Sequence, residues 1–375
     1  MRIAQIAPSR IPNTSANSLQ GMKMAQAFTE LGHEVLVYAP GADPGLPWER
    51  LARDYGLRAQ FEIKWLPSRR LLRRYDFARA AVNAARSWGA DLIYTRLPQA
   101  AAYAASRGIA TIHEVHDRPK GRGGPRLLRA FLGAVGAKRL VVITHALAQA
   151  LKPRYTLPDR AGFLLVAPDG VDLERYDQLP SPEEARRQLE LPNRFTVGYT
   201  GHLYAGRGVD LILAIAHRME NLHFLIAGGR RHDVQRVREA LQQQGLQNVT
   251  LTGFIPNADI PRYQAASDVL VMPYQSQVAA SSGGDIAAYL SPMKLFEYLA
   301  SGRPILASRL PVLGEVLNKD NAILLPGENA GAWAEAIQAL ESTPERRQEL
   351  GSAARVSAQA YGWRARAERV LAGLG

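Results

Sequence analysis

Ser291-Pro292-Met293-Lys294-Leu295-Phe296-Glu297-Tyr298-Leu299-Ala300-Ser301-Gly302-Arg303-Pro304, running into Ile305-Leu306-Ala307, reads as a helix with a marked start, a marked stop and a buried strand behind it. Ser291 has the side chain of an N-cap. Pro292 would take the first helical position, where its missing N–H costs nothing, and Gly302 ends the helix. The unpaired N–H groups of the first turn and the helix dipole favour an anion there. Lys294 and Glu297, three apart, share one face about a turn inside. That face offers a phosphate site beside a carboxylate that accepts hydroxyl protons; it equally fits a surface helix whose Lys and Glu form a pair worth roughly 0.2–0.5 kcal/mol.

Outward from this helix-then-strand unit the same alternation covers the chain. Toward the N-terminus, residues 2–7 read as a strand, 18–31 as an amphipathic helix and 34–39 as a second strand. Strands are then predicted at 61–66, 92–95, 110–114, 140–143 and 164–167. The helices between them fall near 71–87, after Pro98, near 125–135 and from Thr144. Periodicity weakens over Pro168–Pro192, and a second series follows, with strands at 195–199, 224–227, 249–252, 269–272, 305–307 and 322–325. Three helices follow Asn329, the last near Trp363–Leu371. Alternation of this kind predicts an α/β chain of two Rossmann-like halves, each a doubly wound parallel sheet, with ligands at the carboxyl ends of the strands in a cleft that the two sheets face. The expected domains are 1–175 and 176–360.

The length of 375 residues itself exceeds what one core usually supports. No segment approaches a membrane span, and the short apolar run after Arg2 is not a signal-peptide core, so a cytoplasmic protein is expected. The absence of cysteine excludes disulfides, thiol nucleophiles and zinc–thiolate sites. The net charge of +12 is unevenly placed: residues 61–160 hold 19 Lys and Arg against 6 Asp and Glu. Arg69, Arg70, Arg73, Arg74, Arg79 and Arg86 interleave with Leu71, Leu72, Phe77 and Val82. Arg118, Lys120, Arg122, Arg126 and Arg129 surround Leu127, Leu128, Phe131 and Leu132. Segments 69–86 and 118–132 therefore suggest helices lying on an anionic membrane surface, which would make the protein peripheral on the inner face. A solvated basic face fits them too. Nucleic acid would be the competing partner, but no nucleic-acid-binding motif accompanies the charge, and none is expected to bind.

The loops at strand ends narrow the chemistry. The loop after the first strand, which runs through Ser15, Ala16 and Asn17 to Ser18, lacks the G-x-G-x-x-G of a dinucleotide site; it could approach a ligand closely or be an ordinary loop capped by Ser18. Gly201-His202-Leu203-Tyr204-Ala205-Gly206-Arg207-Gly208 is not a P-loop, because no Gly-Lys-Ser/Thr follows. Gly206 and Gly208 flank Arg207 just before a helix, which would let a guanidinium and backbone N–H groups converge on a diphosphate. In Thr111-Ile112-His113-Glu114-Val115-His116-Asp117, alternation along a strand points His113 and His116 apart and disfavours a metal centre. His116 and Asp117 could contact a reacting sugar or its acceptor, and a structural histidine is the other reading. There is no Asp-x-Asp triplet of the kind that escorts a nucleotide diphosphate with a divalent cation.

Taken together, these residues resemble the retaining GT-B glycosyltransferases of the family-four type over essentially the whole chain. Gly32-His33-Glu34-Val35, Glu114-Val115-His116-Asp117, Pro168-Asp169-Gly170-Val171-Asp172 and above all Lys294 to Ser308 carry the likeness, with Ser291 to Glu297 similar to bacterial enzymes of surface-polysaccharide and glycolipid assembly. The resemblance implies transfer of a sugar, with retention, from a nucleotide diphosphate donor to a hydroxyl of a glycan or lipid-linked acceptor, with no cofactor and no required metal. It implies that Glu297 holds the ribose and that Arg207 and Lys294 take the leaving diphosphate. His116 would stand near the donor sugar, with Gly206, Gly208, Met293 and Leu295 around the donor and Ser15, Ala16, Asn17 and Asp117 on the acceptor side. It also implies that residues 361–375 cross back to the first domain. Two positions depart from the pattern. The second Glu usual eight residues before Glu297 is Tyr289, with Asp285 a candidate substitute, and the Arg usual five before Arg207 is His202. Donor choice would then be written in Gly283 to Leu290. A nucleotide-sugar isomerase of the 2-epimerase type, or a non-catalytic nucleotide-sugar-binding subunit, would share the architecture.

Overall fold

A computed structural model describes residues 1–279 and 284–374, and its contacts divide it into two units, Met1–Asp169 with Trp363 onward, and Gly170–Gly362. Of the positions singled out above, Gly283 and the side chain of Arg70 lie outside the described residues.

The first unit is built on seven strands: β1 (Arg2–Ile6), β2 (Glu34–Pro40), β3 (Glu62–Leu66), β4 (Leu92–Thr95), β5 (Thr111–Val115), β6 (Ala137–Val142) and β7 (Leu164–Val166). They form one parallel sheet in the order β3-β2-β1-β4-β5-β6-β7. Strands covered on both faces read as continuous apolar runs, and Val35 to Ala39 of β2 are all buried. Ala4, Ile6, Leu36, Tyr38, Ile93 and Leu97 pack with Phe77, Ala81 and Val82 of the helix Tyr75–Ser87. The last helix, Trp363–Leu371, belongs to this unit and lies against the helix Ala16–Glu30. Sheet order reverses between β1 and β4, so the loops after these two strands part at the carboxyl edge of the sheet, where folds of this kind bind ligands.

The second unit repeats the plan with β8 (Thr196–Thr200), β9 (His223–Ala227), β10 (Val249–Gly253), β11 (Val269–Met272), β12 (Ile305–Ser308) and β13 (Ile323–Leu325), ordered β10-β9-β8-β11-β12-β13 and all parallel. Its core joins Val197, Phe224, Ile226, Val271 and Leu306 to Ile212, Ile215, Trp333 and Leu350 from the flanking helices. The reversal falls between β8 and β11, which puts the loop after β8 next to the loop after β11.

Four local expectations change. The helix expected over 71–87 begins at Tyr75, because Arg73 and Arg74 take φ values of +44° and +68° that a right-handed helix excludes; a 3-10 turn at Arg70–Leu72 precedes them. A helix at Trp48–Tyr55 was not foreseen. The first long helix starts at Ala16, and its cap is Ser15, whose Oγ accepts from the Ser18 amide at 3.3 Å. The helix expected to be capped by Ser291 starts instead at Met293, with Pro292 in the N-cap position and no side-chain cap bond. Pro292 keeps extended angles there (φ −78°, ψ 124°), and the chain turns helical one residue later than the Ser-Pro signal suggests.

The basic segments also read differently in three dimensions. Phe77 and Val82, and in the helix Gly123–Leu132 the residues Leu128, Phe131 and Leu132, are buried in the unit's own interior, so these apolar stripes are core faces and not a membrane face. Arg69, Arg73, Arg79, Arg86, Arg118, Lys120, Arg122, Arg126 and Arg129 are exposed, and Leu71 is 94% and Leu72 47% exposed beside them.

Candidate functional site

In the second unit the expected cations converge. Lys294 stands in the first turn of the helix Met293–Ser301, which connects β11 to β12, and Arg207 lies in the loop after β8. The Lys294 Nζ sits 3.6 Å from the centre of the Tyr199 ring and 5.7 Å from that of Tyr274, and the Arg207 guanidinium lies 4.9 Å from the Tyr274 ring. Nζ is buried and among the described residues has no hydrogen-bond partner, and neither has Arg207 Nε. Burial first, and the Arg207 charge second, push the Lys294 ammonium well below the usual lysine range, with Glu297 pulling the other way. A buried ammonium with no hydrogen-bond partner among the described residues, beside a half-buried guanidinium, forms a site suited to an anion, with the cost of desolvation met by whatever binds. An aromatic face offsets part of that cost, by about 0.5–2 kcal/mol.

Backbone geometry explains the glycines. A Cβ on Gly201 would come within 2.9 Å of the Lys294 Nζ, and one on Gly208 within 1.8 Å of the Pro273 carbonyl oxygen; both residues have positive φ. Gly206, also at positive φ, faces the Gln277 carbonyl in the same way, and its own carbonyl accepts from Gln275 N at 3.0 Å. The loop that carries Arg207 is thus clamped against 273–279. Gly208 ends it, as the N-cap of the helix Val209–Arg218.

Glu297 lies one turn after Lys294 and is half-buried; Gln264 Nε2 approaches its Oε2 at 3.4 Å and the Thr200 Oγ1 at 3.1 Å, while Tyr176 donates to Gln264 Oε1 at 2.9 Å. The Thr200 amide donates to the Tyr298 hydroxyl at 2.8 Å. Glu297 is therefore tied to the end of β8 while its carboxylate keeps acceptor capacity. Met293 is half-buried, whereas the Leu295 side chain is buried and its amide donates to Pro292 O at 2.9 Å. The His202 ring stacks on Tyr204 at 4.7 Å, and its carbonyl accepts from the Tyr199 hydroxyl at 2.6 Å. The exposed Asp285 closes a turn, its Oδ1 accepting from Val278 N and Ala287 N, both at 2.9 Å, while Tyr289 is half-buried.

In the first unit, His116 follows β5 and its Nε2 contacts the Glu114 Oε1. Glu114 is buried and accepts from Gln20 Nε2 at 2.7 Å, from the Tyr94 hydroxyl and from Arg366 Nη2 at 3.1 Å. Asp169 stands in the same cluster: one ligand atom from each of Glu114, His116 and Asp169 lies within 4.8 Å of the others, a spacing that could hold a metal ion. Two guanidiniums, Arg366 and Arg96, already stand among these carboxylates, and the cluster is better described as internally neutralised. Burial pushes Asp169 up to about 7, with Glu114 adding to it against Arg366 and Arg96. His113 points away, its Nδ1 3.1 Å from the Thr95 carbonyl oxygen. Asp117 pairs with Lys120 at 2.5 Å and accepts from Arg118 N at 2.7 Å. Beyond the loop after β1, Ser15 is buried as the helix cap, Ala16 is exposed, and the Asn17 Oδ1 is buried with no hydrogen-bond partner among the described residues.

Two family models cover most of the chain: the Glycosyltransferase Family 4 model matches residues 22–175 and the Glycosyl transferases group 1 model residues 194–342. The chain belongs to this glycosyltransferase family. It is a retaining enzyme type with a nucleotide-sugar donor and the GT-B fold. Among curated relatives, the transferase is 25% identical over 325 residues to a D-inositol 3-phosphate glycosyltransferase of Arthrobacter sp., covering 80% of this chain and 70% of the relative. With the enzyme of the same name from Xylanimonas cellulosilytica it shares 29% over 211 residues, 53% of this chain and 48% of that one. It is 28% identical over 303 residues to a 2-deoxystreptamine N-acetyl-D-glucosaminyltransferase of Streptomyces fradiae, covering 71% and 70%. Its fold is that of sucrose-phosphate synthase from Thermosynechococcus elongatus (TM-score 0.75, 20% identity, 98% and 96% covered) and of Anabaena HepE determined with UDP-glucose (TM-score 0.75, 18% identity, 100% and 99% covered).

Sequence reading of the transferase missed Tyr199 and Tyr274, which enclose the cations, and Gln264, which bridges Glu297 to β8. It also passed over Arg366, Arg96 and the role of Glu114. Apart from the Glu114–His116 contact two residues apart, none of these carries a local signal, since the partners lie a strand or more away in the chain.

Proposed function

We propose that this enzyme moves a hexose from a nucleoside diphosphate sugar to a hydroxyl of a glycan or lipid-linked acceptor in cell-surface assembly, with retention and without a metal ion. The observation that carries the donor reading is the Lys294 Nζ, buried and unpartnered beside Arg207 and one turn before Glu297. Arg207 and Lys294 take the diphosphate, the helix N-terminus at Met293 adds its dipole, and Glu297 accepts from the ribose hydroxyls. Departure of the diphosphate leaves an oxocarbenium-like sugar, and preorganised cations stabilise charge where it develops, typically by about 2.7–4 kcal/mol for a single such donor. Two side-chain cations at the phosphates do the work a divalent ion would otherwise do, so EDTA is expected to leave activity intact. His116 meets the donor sugar. Asp285, bound up in its turn, is a poor substitute for the missing Glu, which leaves Tyr289 as the donor-sugar contact.

Incubation with a panel of nucleotide sugars tests this reading. UDP-glucose heads the panel, as the ligand of the Anabaena neighbour. Slow release of nucleoside diphosphate is expected. Donor epimerised without release would make the protein an isomerase, and binding without chemistry would make it a partner subunit.

A further inference from the structure

Arg366 is carried by the last helix, Trp363–Leu371, yet its guanidinium is fully buried against β5 and β7. Every edge of it is used: Nε donates to Pro168 O at 2.7 Å, Nη2 to Ala167 O at 2.9 Å and to Glu114 Oε2 at 3.1 Å, and Nη1 lies 2.9 Å from the Met24 sulfur. Glu114 is equally enclosed. Burial alone would raise its pKa, but the Arg366 charge and the His116 contact outweigh burial and hold the carboxyl well below the usual range. A charged carboxylate accepts only, so the proton on its His116 bond belongs to Nε2. Burial first, and repulsion from Arg96 second, lower His116 to about 4 against the pull of Glu114, which leaves the imidazole neutral near pH 7. Its Nδ1 is then a bare acceptor, and among the described residues that atom makes no hydrogen bond. His116 is also the part of the cluster that reaches solvent, with 18% of its side chain exposed.

We propose that Arg366 and Glu114 are positioning residues for His116: the guanidinium fixes Glu114, and Glu114 takes the Nε2 proton, so that Nδ1 is presented to a hydroxyl of the donor sugar. The inference rests on the reading of His116 as the residue that meets that sugar. A buried ion pair alone is weak support for stability, since neutral side chains of similar volume often replace one without loss. Here one oxygen of the pair is spent on the partly exposed imidazole, and a partner histidine held this way has one tautomer and one orientation. Glu114 comes from β5 in the middle of the unit's sheet and Arg366 from the last helix, so that helix sets the imidazole as well as closing the fold.

The test uses the full-length protein, as wild type, as Glu114→Gln with Arg366→Met together, which removes both charges and leaves no orphaned one, as Arg366→Lys, and as His116→Ala. In 15N-labelled wild type the His116 signal, identified by its loss in His116→Ala, is expected as the Nε2–H tautomer and unchanged between pH 5 and 8. In the folded double variant it becomes a mixture of tautomers. Turnover of the best nucleotide sugar falls about tenfold to a hundredfold in kcat with donor KM little changed. Arg366→Lys recovers part of the loss, and His116→Ala added to the double variant costs nothing beyond His116→Ala alone. Retention of the Nε2–H tautomer in the double variant, or kcat within twofold of wild type, overturns the proposal. If His116→Ala itself leaves turnover unchanged, the reading beneath the proposal fails and takes it down; the tautomer is read without donor, so the two failures are told apart.

Discussion

Lys294 is unfavourable to the free fold, and the proposed diphosphate site would give it a counter-charge. Its ammonium is held down by burial and by Arg207, so a bound diphosphate, by restoring a counter-charge, raises its pKa. Binding of UDP should therefore take up a proton, with affinity highest below the free-state pKa of Lys294 and lost as pH rises through the bound-state value. Calorimetry above about pH 7.5, where the phosphate itself is fully ionised, in buffers of different ionisation enthalpy checks the sign; proton release, or uptake that survives in Lys294→Met, would contradict it. Among the described residues Glu297 makes one long hydrogen bond, to Gln264, and it is half-exposed, so Glu297→Ala should cut donor turnover on the order of a hundredfold and leave Tm nearly unchanged. Near-normal turnover would remove the ribose assignment.

At the scale of elements, the last helix is held from both ends. Arg366 anchors its first half. Arg139 of β6 donates to the carbonyls of its last turn and beyond, Arg369 at 3.2 Å, Val370 at 2.5 Å and Ala372 at 2.8 Å, groups that a helix end leaves without partners of its own. Arg139→Ala should cost about 1.5–3 kcal/mol, the range for hydrogen bonds to a charged group, and should raise hydrogen exchange selectively over 363–371. Unchanged protection there would show that the cap does nothing. The sequence reveals the helix through its apolar spacing but cannot reveal this cap, because Arg139 is 230 residues from the first carbonyl it meets. The start of the Lys294 helix teaches the converse. A Ser-Pro pair is a sound local signal for a start, and the element is where it was expected, but the exact first residue depends on how the preceding loop arrives.

For the whole molecule, charge is the property that reaches furthest. The arginines of 69–86 and 118–132 other than Arg70 and Arg74 are exposed, with Leu71 and Leu72 standing out beside them, and the proposal that this face meets anionic lipid rests on that exposure. No helix among the described residues is long and apolar enough to cross a membrane. Anionic vesicles should sediment the protein at low salt and release it at high salt, and Leu71→Ser with Leu72→Ser should weaken the binding; no sedimentation at low salt would remove the membrane claim.

The alternation of apolar strands and amphipathic helices determined both sheets, because a parallel strand buried on two faces must be apolar throughout whatever it pairs with. Short motifs likewise marked Lys294, Glu297, Arg207 and His116. Tertiary structure decided which apolar faces were core: Phe77, Val82, Leu128 and Phe131 turn inward, while Leu71 and Leu72 stay exposed. It also decided which charges were answered. Glu114 meets Arg366, whereas the Lys294 Nζ rests against tyrosine rings and among the described residues has no hydrogen-bond partner. Periodicity is a local property of the backbone and is written in neighbouring residues; the partner of a buried charge is fixed by packing between segments far apart in the chain.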